Sequence, residues 1–407
     1  MKVLVADKFE QTGIDGLRAA GCEVLYEPDL KEEPLQRAIA ASGARVLIVR
    51  STQVTAPMLD GSALSLIVRA GAGVNTIDVA AASERGIYVS NCPGKNAIAV
   101  AELTFALLLA IDRRIPENVS ELRACNWNKK EFSKAQGLYG RTIGVLGFGS
   151  IGQEVARRAR GFGMPVLVWS RRFGERPESR EAAAQEFGIS VVDDPRELVA
   201  RAEIISIHLA LTKETRGFVG ADLLAHVREG AILINTARAE VVDYEALAAA
   251  VRERRLRVGL DVFANEPAAP AGTIDDPILA LPGVYGTHHI GASTDQAQDA
   301  IAAEAVRIVR TFKETGRVPN VVNLSRQSPA THMLVVRHRD KPGVLAHVFQ
   351  WLRDAGLNVQ ETENIIFEGA HAAVARINLD REPPRPTLDR IETGHPDVLD
   401  LQLVRLT

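Results

Sequence analysis

Three segments of the chain carry a polar residue shortly after an apolar run: INTARAEVVD with Arg238, GLDVFANEP with Glu266 and YGTHHIGAST with His289. These residue types suit hydride chemistry at carbon 2 of a small carboxylic acid. A cation binds the carboxylate and carbonyl, and an imidazole exchanges a proton with the alkoxide. A nearby carboxylate stabilises imidazolium and raises its pKa, so we expect Glu266 to assist His289. Taken singly, the three also suit a surface ion pair, an acid in a turn and a capping residue.

The segment TIGVLGFGSIGQEVARRA gives these groups a context. Gly147, Gly149 and Gly152 have GxGxxG spacing between an apolar run and a helical pattern, with Ser150 and Ile151 inside the motif. Such glycines allow a tight turn and close approach of the backbone to a pyrophosphate at a helix N-terminus. A plain glycine turn is the alternative, but the strand-turn-helix context favours a dinucleotide site.

The next apolar run ends in Trp169, Ser170, Arg171 and Arg172. The acid that usually binds the adenine ribose hydroxyls is absent there, and arginines stand where a 2′-phosphate would lie. The strand end therefore favours NADP(H) over NAD(H), weakly. The alternative is a solvated basic turn, because Arg176 and Arg180 make the whole stretch basic.

Short apolar, β-branched runs alternate with helical patterns along most of the chain, which predicts parallel sheets covered on both faces. The first series of strands comprises Lys2 to Ala6, Glu23 to Tyr26, Arg45 to Val49, Leu64 to Arg69 and Ile87 to Ser90. The second comprises Thr142 to Phe148, Val166 to Trp169, Ile204 to His208, Ile232 to Asn235, Val258 to Val262 and Val284 to Thr287. We therefore expect two doubly wound α/β domains.

Two long helical stretches, about Ala97 to Arg114 and Ser293 to Thr315, flank the second series. If the chain leaves the first domain along one and returns along the other, the first domain is discontinuous. We predict a domain of residues 1–96 with 293–324, and a nucleotide-binding domain of residues 97–292. A cleft between them would favour a small-molecule site.

A third domain, residues 331–407, is predicted beyond the linker-like SRQSPA stretch, Ser325 to Ala330. Its pattern is strand, helix, strand, strand, helix, strand. The predicted elements are Met333 to Arg337, Val344 to Ala355, Val359 to Phe367, Ala372 to Asn378, Thr387 to Ile391 and Leu399 to Leu406.

Composition excludes several function classes. With 48 basic and 51 acidic residues and a formal charge of −3, the chain has no electrostatic footprint for nucleic acid or an anionic membrane. Cys22, Cys92 and Cys125 lack CxxC spacing, so neither a disulfide framework nor a metal site is expected. The first apolar run is too short for a signal peptide, so a reducing cytoplasm is expected.

The chain resembles the D-2-hydroxyacid dehydrogenases, and within them the branch that oxidises 3-phospho-D-glycerate and carries a C-terminal ACT domain. The resemblance covers nearly the whole chain, through VRSTQVTAPML, RAGAGVNTID, NCPGKNAIAVAEL, SIHLALTKETRG and the motifs above. It implies a flavodoxin-like domain, a Rossmann domain and a ferredoxin-like ACT domain. It also implies that Arg238, Glu266 and His289 are the catalytic set.

Further roles follow from the resemblance, position by position. Substrate contacts would come from Arg50, Ser51, Gly73, Val74 and Asn96. The cofactor would be lined by the glycine motif and by Ser170, Arg171, His208, Thr215, Ala237 and Asp261. Lys129 in NWNKK would reach the substrate phosphate in a neighbouring subunit of a homo-oligomer, a dimer or tetramer. A solvated lysine pair is the alternative for Lys129.

Two departures from the family pattern stand out. Members that use NAD usually end the second strand with aspartate, where this chain has Ser170. The usual proline before the catalytic histidine is His288, which leaves two candidate imidazoles. We assign His289, because it precedes the IG dipeptide.

The segment HRDKPGVLAHVFQWLRDAGLNVQ resembles the effector-binding edge of ACT domains, with His338, Asp340 and Asn358 at effector positions. A small amino acid, L-serine first, is the expected effector. The alternative is an ACT domain used only for oligomerisation, since Asp340 stands where serine-binding members have asparagine.

The resemblance therefore predicts oxidation of 3-phospho-D-glycerate with NAD(P) in serine synthesis. An NADPH-dependent hydroxypyruvate or glyoxylate reductase shares the fold and catalytic set and remains a rival. A regulator that senses a nucleotide or amino acid on a dehydrogenase scaffold is the rival outside enzymes, and it would carry a broken catalytic set.

Overall fold

The computed structural model describes residues 1–267, 271–325 and 327–406. The chain divides into two compact units, Met1–Asn323 and Leu324–Thr407. Among the described residues, none of the helices combines the length and the apolar character that a membrane crossing requires.

The first sheet has five parallel strands in the order β2-β1-β3-β4-β5. Its inner strands are mostly apolar on both faces, as in VLIV of β3, and helices cover both sides. The strands are β1 Lys2–Val5, β2 Glu23–Tyr26, β3 Val46–Val49, β4 Leu66–Arg69 and β5 Tyr88–Asn91. The helices are α1 Gln11–Ala19, α2 Glu32–Ser42, α3 Ala56–Leu59 and α4 Val79–Glu84.

The second sheet has seven parallel strands in the order β12-β11-β10-β9-β6-β7-β8. The order reverses beside β6, and crevices at such a switch point bind ligands. The strands are β6 Ile143–Leu146, β7 Val166–Trp169, β8 Ser190–Val191, β9 Ile204–Ile207, β10 Ile232–Asn235, β11 Arg257–Leu260 and β12 Val284–Gly286. The helices are α5 Ala97–Arg113, α6 Ile115–Arg123, α7 Ser150–Gly161, α8 Arg171–Glu175, α9 Glu178–Phe187, α10 Pro195–Arg201, α11 Ala221–Leu224 and α12 Tyr244–Arg254, with 3₁₀ turns at Glu131–Ser133, Ala239–Val241 and Pro277–Ala280.

The two long predicted helices are present, as α5 and as α13, Asp295–Thr315. Buried α5 residues such as Phe105 and Leu108 join the core beneath the second sheet. Ile301 and Val306 of α13 instead pack in the core of the first sheet. This packing supports a discontinuous first domain, whose boundaries near residues 96 and 293 remain a prediction.

The second unit has the predicted order of two helices and four strands. Its antiparallel sheet has the order β14-β15-β13-β16. The elements are β13 His332–Arg339, α14 Val344–Asp354, β14 Val359–Ile366, β15 Ala372–Leu379, α15 Arg385–Thr393 and β16 Val398–Arg405. Of the predicted linker Ser325 to Ala330, Arg326 lies outside the described residues, as does Thr407 of the predicted third domain.

Two elements of the second sheet's domain were not predicted. Strand β8 has only two residues, Ser190 and Val191, which is too short to produce a periodic signal. Helix α6 has no buried residue, and its apolar side chains Ile115, Val119 and Leu122, spaced as on one helix face, are exposed. Arg114, in a left-handed conformation with φ of 50°, separates α6 from α5.

Candidate active site

The three polar segments follow three neighbouring strands. Arg238 comes after β10, Glu266 after β11 and His289 after β12, and β10, β11 and β12 lie side by side in the second sheet. Because parallel strands all point the same way, their carboxyl ends meet at one edge. The sheet therefore gathers residues that are far apart in sequence.

His289 and Glu266 form a hydrogen-bonded pair. His289 Nδ1 donates to Glu266 Oε2 at 2.7 Å, and Glu266 Oε1 accepts from the backbone N–H of Phe263 at 2.9 Å. With its proton on Nδ1, the neutral ring carries its free lone pair on Nε2. The pair can therefore present Nε2 of His289 as a base.

Partial burial alone would raise the pKa of the Glu266 carboxyl, but the hydrogen bonds from His289 and from the Phe263 backbone hold that pKa below its usual value. Glu266 is therefore an anion at neutral pH. A fixed anion at Nδ1 stabilises the imidazolium that forms when His289 takes up a proton.

The loop that carries His289 is held by the buried carboxylate of Asp261. Its Oδ1 accepts from Thr287 Oγ1 at 2.7 Å and from the backbone N–H of Ile290 at 2.8 Å, and its Oδ2 accepts from the backbone N–H of Gly291 at 2.8 Å. His289 itself has φ of 53°, an uncommon left-handed conformation for a non-glycine residue. Asp261 thus fixes the backbone on both sides of His289, in addition to the cofactor contact predicted for it.

Arg238 extends towards the first domain. Its Nη1 donates to the backbone oxygen of Ala237 at 2.6 Å, and its Nη2 lies where a side chain on Gly73 would have to stand. A side chain at position 73 would force the guanidinium of Arg238 out of this position. The predicted substrate residues Gly73 and Val74 therefore lie in the loop that meets Arg238.

Arg69, at the end of β4, was not among the predicted site residues. Burial and the charges of Arg238 and Arg50 lower the pKa of Arg69 to about 10. Within the described part of the chain, these three arginines have no carboxylate at ion-pair distance. The signal was present in the sequence, since Arg69 ends an apolar run just as Arg50 follows one.

A second unpredicted residue, Asp7, shapes the loop after β3. Its Oδ2 accepts from the backbone N–H groups of Arg50, Ser51 and Thr52 at 2.6, 3.0 and 3.0 Å. Ser51 Oγ also donates to Asp7 Oδ1 at 3.3 Å. Asp7 follows β1 directly, so the loop with the predicted substrate residues Arg50 and Ser51 is held by the neighbouring strand's end.

Asn96 stands at the start of α5, and its Oδ1 is buried without a hydrogen-bond partner among the described residues. The loop before it is held by Glu304 of α13, which pairs with Lys95 at 3.3 Å and accepts from Asn320 Nδ2 at 2.7 Å. A buried acceptor without a partner suits a ligand that donates a hydrogen bond.

The glycine motif has the geometry of a pyrophosphate cradle. Gly147 has φ of 100° and packs so closely that a side chain would overlap the backbone oxygen of His208, while one on Gly152 would overlap that of Gly147. Gly149 faces open space just before Ser150 begins α7, and no side chain caps the helix. The first turn of α7, with Ser150 and Ile151, therefore leaves its N–H groups to an anion.

His208 follows β9 beside this cradle. Its Nε2 shares a hydrogen bond of 2.7 Å with Ser206 Oγ, and its buried Nδ1 has no partner in the described structure. Burial lowers the pKa of His208 to about 3, so the ring is neutral. A neutral ring with one unpartnered nitrogen suits the lining of a cofactor pocket, and together with the glycine cradle it fits a dinucleotide.

The remaining predicted cofactor residues lie along the same edge of the sheet. Ala237 is buried, and its N–H donates to Asn235 Oδ1 at 3.0 Å. Thr215 is buried and donates to the backbone oxygen of Ala210 at 2.6 Å. Ser170 follows β7 as the N-cap residue of α8, and Arg171 lies on the surface beside it.

His288 and Lys129, whose roles the sequence left undecided, are both exposed. His288 lies on the surface, with no hydrogen bond or ion pair among the described residues, in contrast to His289. Lys129 is also exposed, next to Trp127, whose side chain is 80% exposed. In the described structure, neither side chain forms a hydrogen bond or ion pair with Arg238, Glu266 or His289.

The predicted effector residues of the second unit are not brought together. His338 is buried, with Nδ1 donating to the backbone oxygen of Arg339 at 2.8 Å and Nε2 3.2 Å from Asn364 Oδ1. Asp340 is exposed just beyond β13. Asn358 is also exposed, and it precedes β14 at the opposite end of the sheet.

The chain is similar in sequence to known proteins of one family. Residues 105–291 match the profile of the D-isomer specific 2-hydroxyacid dehydrogenase, NAD binding domain. The D-3-phosphoglycerate dehydrogenase of Methanocaldococcus jannaschii is 40% identical over 333 residues, which is 80% of this chain and 61% of that protein. The chain thus spans about three fifths of the length of such relatives.

Two shorter proteins are matched over most of their length. The hydroxypyruvate reductase of Thermotoga maritima is 40% identical over 274 residues, 67% of this chain and 85% of that protein. Among solved structures, the NAD⁺-bound 3-phosphoglycerate dehydrogenase of Entamoeba histolytica has a TM-score of 0.64 at 29% identity, covering 80% of this chain and 99% of that one.

Proposed function

Because the chain belongs to the D-isomer specific 2-hydroxyacid dehydrogenases, a family of NAD-binding oxidoreductases, we propose that it oxidises 3-phospho-D-glycerate to 3-phosphooxypyruvate, as in L-serine synthesis. The observation that carries this substrate is the group of Arg50, Arg69 and Arg238 beside the Glu266–His289 pair. A substrate with a carboxylate and a phosphate supplies the anions that three unpaired guanidinium groups require.

Each catalytic residue has a distinct task in this reaction. Arg238 binds the carboxylate and the oxygen on carbon 2, and so opposes the charge that develops there. Nε2 of His289 removes the hydroxyl proton as carbon 2 is oxidised, and Glu266 holds the ring through Nδ1. A bound nicotinamide cofactor, held at the glycine cradle, would supply the acceptor for the hydride.

We further propose NAD(P) as the cofactor, with a modest lean to NADP(H). The glycine cradle and His208 would hold the dinucleotide, and Thr215, Ala237 and Asp261 would line its pocket. Ser170 lacks the carboxylate that would repel a 2′-phosphate, and the side chain of Arg171, which is 44% exposed, would be accessible to one. If kcat/KM with NAD exceeds that with NADP tenfold, the lean is wrong.

The second unit is proposed to be an ACT domain of residues 331–407. Its order of elements and its sheet order β14-β15-β13-β16 are those of a ferredoxin-like module. We propose that it pairs between copies of the chain and binds a small amino acid, L-serine first. In such a homo-oligomer, Lys129 would serve the substrate phosphate of a neighbouring subunit.

One specific observation favours a second function, an NADPH-dependent hydroxypyruvate or glyoxylate reductase. The basic end of β7 suits NADPH, and the Thermotoga maritima relative bears the name of such an enzyme. A sensing regulator without activity is opposed by the intact hydrogen bond between His289 and Glu266.

Steady-state kinetics with four combinations separates these functions: 3-phosphoglycerate with NAD and with NADP, and hydroxypyruvate with NADH and with NADPH. If the chain oxidises 3-phosphoglycerate as proposed, then kcat/KM, measured at the same pH for all four combinations, should be highest for 3-phosphoglycerate in the oxidative direction. A higher value for hydroxypyruvate, unaffected by Arg69→Ala, would identify the reductase. No turnover in any combination would favour the regulator.

A further inference from the structure

The carboxyl end of β7 lacks its own acid, but a carboxylate reaches it from elsewhere in the same domain. Glu214 lies in the loop after β9, and its Oε2 stands 3.6 Å from Nη1 of Arg171. This ion pair joins the predicted ribose position to the loop carrying Thr215.

The sheet order shows where the ion pair of Arg171 and Glu214 lies relative to the glycine turn. Strands β7 and β9 flank β6 on either side, and the glycine turn at Gly147 to Gly149 follows β6. Arg171 and Glu214 therefore meet across the turn that would cradle the pyrophosphate. A dinucleotide laid over the end of β6 must place its adenine ribose near this pair.

The two segments are also held together by packing. Trp169, the last residue of β7, stacks on Phe218, with ring centroids 4.9 Å apart and planes inclined by 21°. The indole nitrogen of Trp169 donates to the backbone oxygen of Asp193 at 3.1 Å. The distance between the end of β7 and the loop after β9 is thus fixed by a ring stack that does not depend on the ion pair.

The loop holds Glu214 in place. Thr212 Oγ1 donates to Glu214 Oε2 at 2.6 Å, and Thr215 Oγ1 accepts from the backbone N–H of Thr212 at 2.7 Å. The hydrogen bond from Thr212 and the charge of Arg171 keep the pKa of the Glu214 carboxyl below its usual value. The group is therefore an anion throughout the physiological range.

We propose that Glu214 determines cofactor specificity, by accepting a hydrogen bond from the 2′-hydroxyl of NAD(H) and by repelling the 2′-phosphate of NADP(H) that Arg171 attracts. The loop after β9 thus supplies the acid that β7 lacks. This inference rests on the proposed nicotinamide-dependent function, but not on which 2-hydroxy acid is the substrate.

The opposite charges of Arg171 and Glu214 are expected to act in opposite directions on cofactor preference. Arg171 alone would favour the phosphorylated dinucleotide, and Glu214 alone would favour the unphosphorylated one. Since the two side chains are 44% and 68% exposed, solvent screens both effects, and the wild-type chain is expected to discriminate weakly.

Direct binding tests the inference without turnover. The affinities of NADH and NADPH are measured by fluorescence titration of the full-length wild type, Glu214→Gln, Arg171→Ala and the double variant. Glu214→Gln is expected to shift the affinity ratio towards NADPH by about fivefold, and Arg171→Ala to shift it towards NADH by a similar factor. The NADPH shift should shrink as salt rises.

Asp222→Asn provides a matched control, because Asp222 is an exposed acid in the same domain that pairs with Arg196 at 2.7 Å instead of with Arg171. It changes net charge as Glu214→Gln does and should leave the ratio unchanged. A purely structural role for Glu214 would weaken both dinucleotides alike, so a ratio within twofold of wild type overturns the inference. If neither dinucleotide binds the wild type, the proposed function fails and the inference fails with it.

Discussion

The catalytic groups and the predicted effector residues are arranged by two different kinds of sheet. In the first unit, Arg238, Glu266 and His289 follow neighbouring parallel strands, so one edge of the sheet gathers them. In the second unit, His338 lies near the end of β13, while Asn358 precedes β14. His338 is opposite Ala373 of β15, whereas Val359, the neighbour of Asn358, is opposite Leu379, six positions or about 20 Å along that strand, so the two residues lie at opposite ends of an antiparallel sheet.

The difference shows that a single chain brings the proposed catalytic residues together, but not the predicted effector residues. A small amino acid cannot span about 20 Å, so it cannot touch Asp340 and Asn358 of the same domain. A ligand that uses both positions must lie between two copies of the domain. The catalytic groups, by contrast, are expected to work within one chain, apart from the proposed contribution of Lys129.

The largest expected effect is on the catalytic side of this comparison. His289→Asn removes the proposed base and should lower kcat by at least about 10²-fold. His288→Asn is the matched control, since it removes the adjacent, exposed imidazole and should leave kcat within twofold of wild type. Steady-state kinetics that leave His289→Asn with more than half of wild-type kcat would transfer the role to His288.

A smaller loss is expected from Glu266→Gln. The amide oxygen can still accept from His289 Nδ1, but it carries no charge to stabilise imidazolium, so kcat should fall about 10-fold while KM changes little. Because the pKa of Glu266 is already held low, the charge that is lost is one present at every working pH. If the pH profile and kcat both match wild type, Glu266 is only a turn residue.

These two predictions depend on features that the sequence shows directly. Apolar runs identify the parallel strands, and polar residues at their ends identify Arg238, Glu266 and His289. Asp7 and Arg69 carry the same signal and were missed because no motif drew attention to them. The separation of His338 from Asn358 depends on sheet order, which a pattern of strands and helices leaves undetermined.

Measurements of effector binding test the prediction for the second unit. L-serine is expected to inhibit the full-length protein and to bind only where chains are paired, with an affinity change of at least about fivefold between active and inhibited states. Calorimetry and activity measured across a range of protein concentrations check this, with glycine as a second ligand. Asp340→Asn restores an amide donor and should strengthen binding, since a carboxylate only accepts.

Two results would contradict the prediction for the second unit. No heat from serine, glycine or other small amino acids, together with unchanged activity at millimolar serine, would leave the second unit as an oligomerisation element. Tight serine binding by a monomeric chain would contradict the requirement for two copies. His338→Ala would not test effector binding, because the buried ring of His338 is hydrogen-bonded through both nitrogens and its loss would disturb the fold.

The smallest expected effect concerns how firmly the first site is held. Asp7, Asp261 and Glu304 are buried carboxylates that fix site loops, whereas Asp340 of the effector edge is exposed. The hydrogen bond from Arg307, together with Asn320 and Lys95, lowers the pKa of Glu304 to about 2 from an ordinary value of 4.5. Since the folded-state pKa is the lower one, its stabilisation is complete above the unfolded value and is lost as pH falls towards 2.

Glu304→Gln should therefore lower the free energy of unfolding at neutral pH by on the order of 2 kcal/mol, less than the full shift implies because Lys95 and Arg307 are partly exposed. Between about pH 5 and pH 2 the wild type should lose this advantage and converge on the variant. Denaturant unfolding at several pH values measures both chains, and Glu197→Gln, which removes an exposed acid 2.5 Å from Arg201, is the control. A difference between wild type and Glu304→Gln that stays constant with pH would mean that its charge does not hold the loop before Asn96. The two regions would then differ in topology alone.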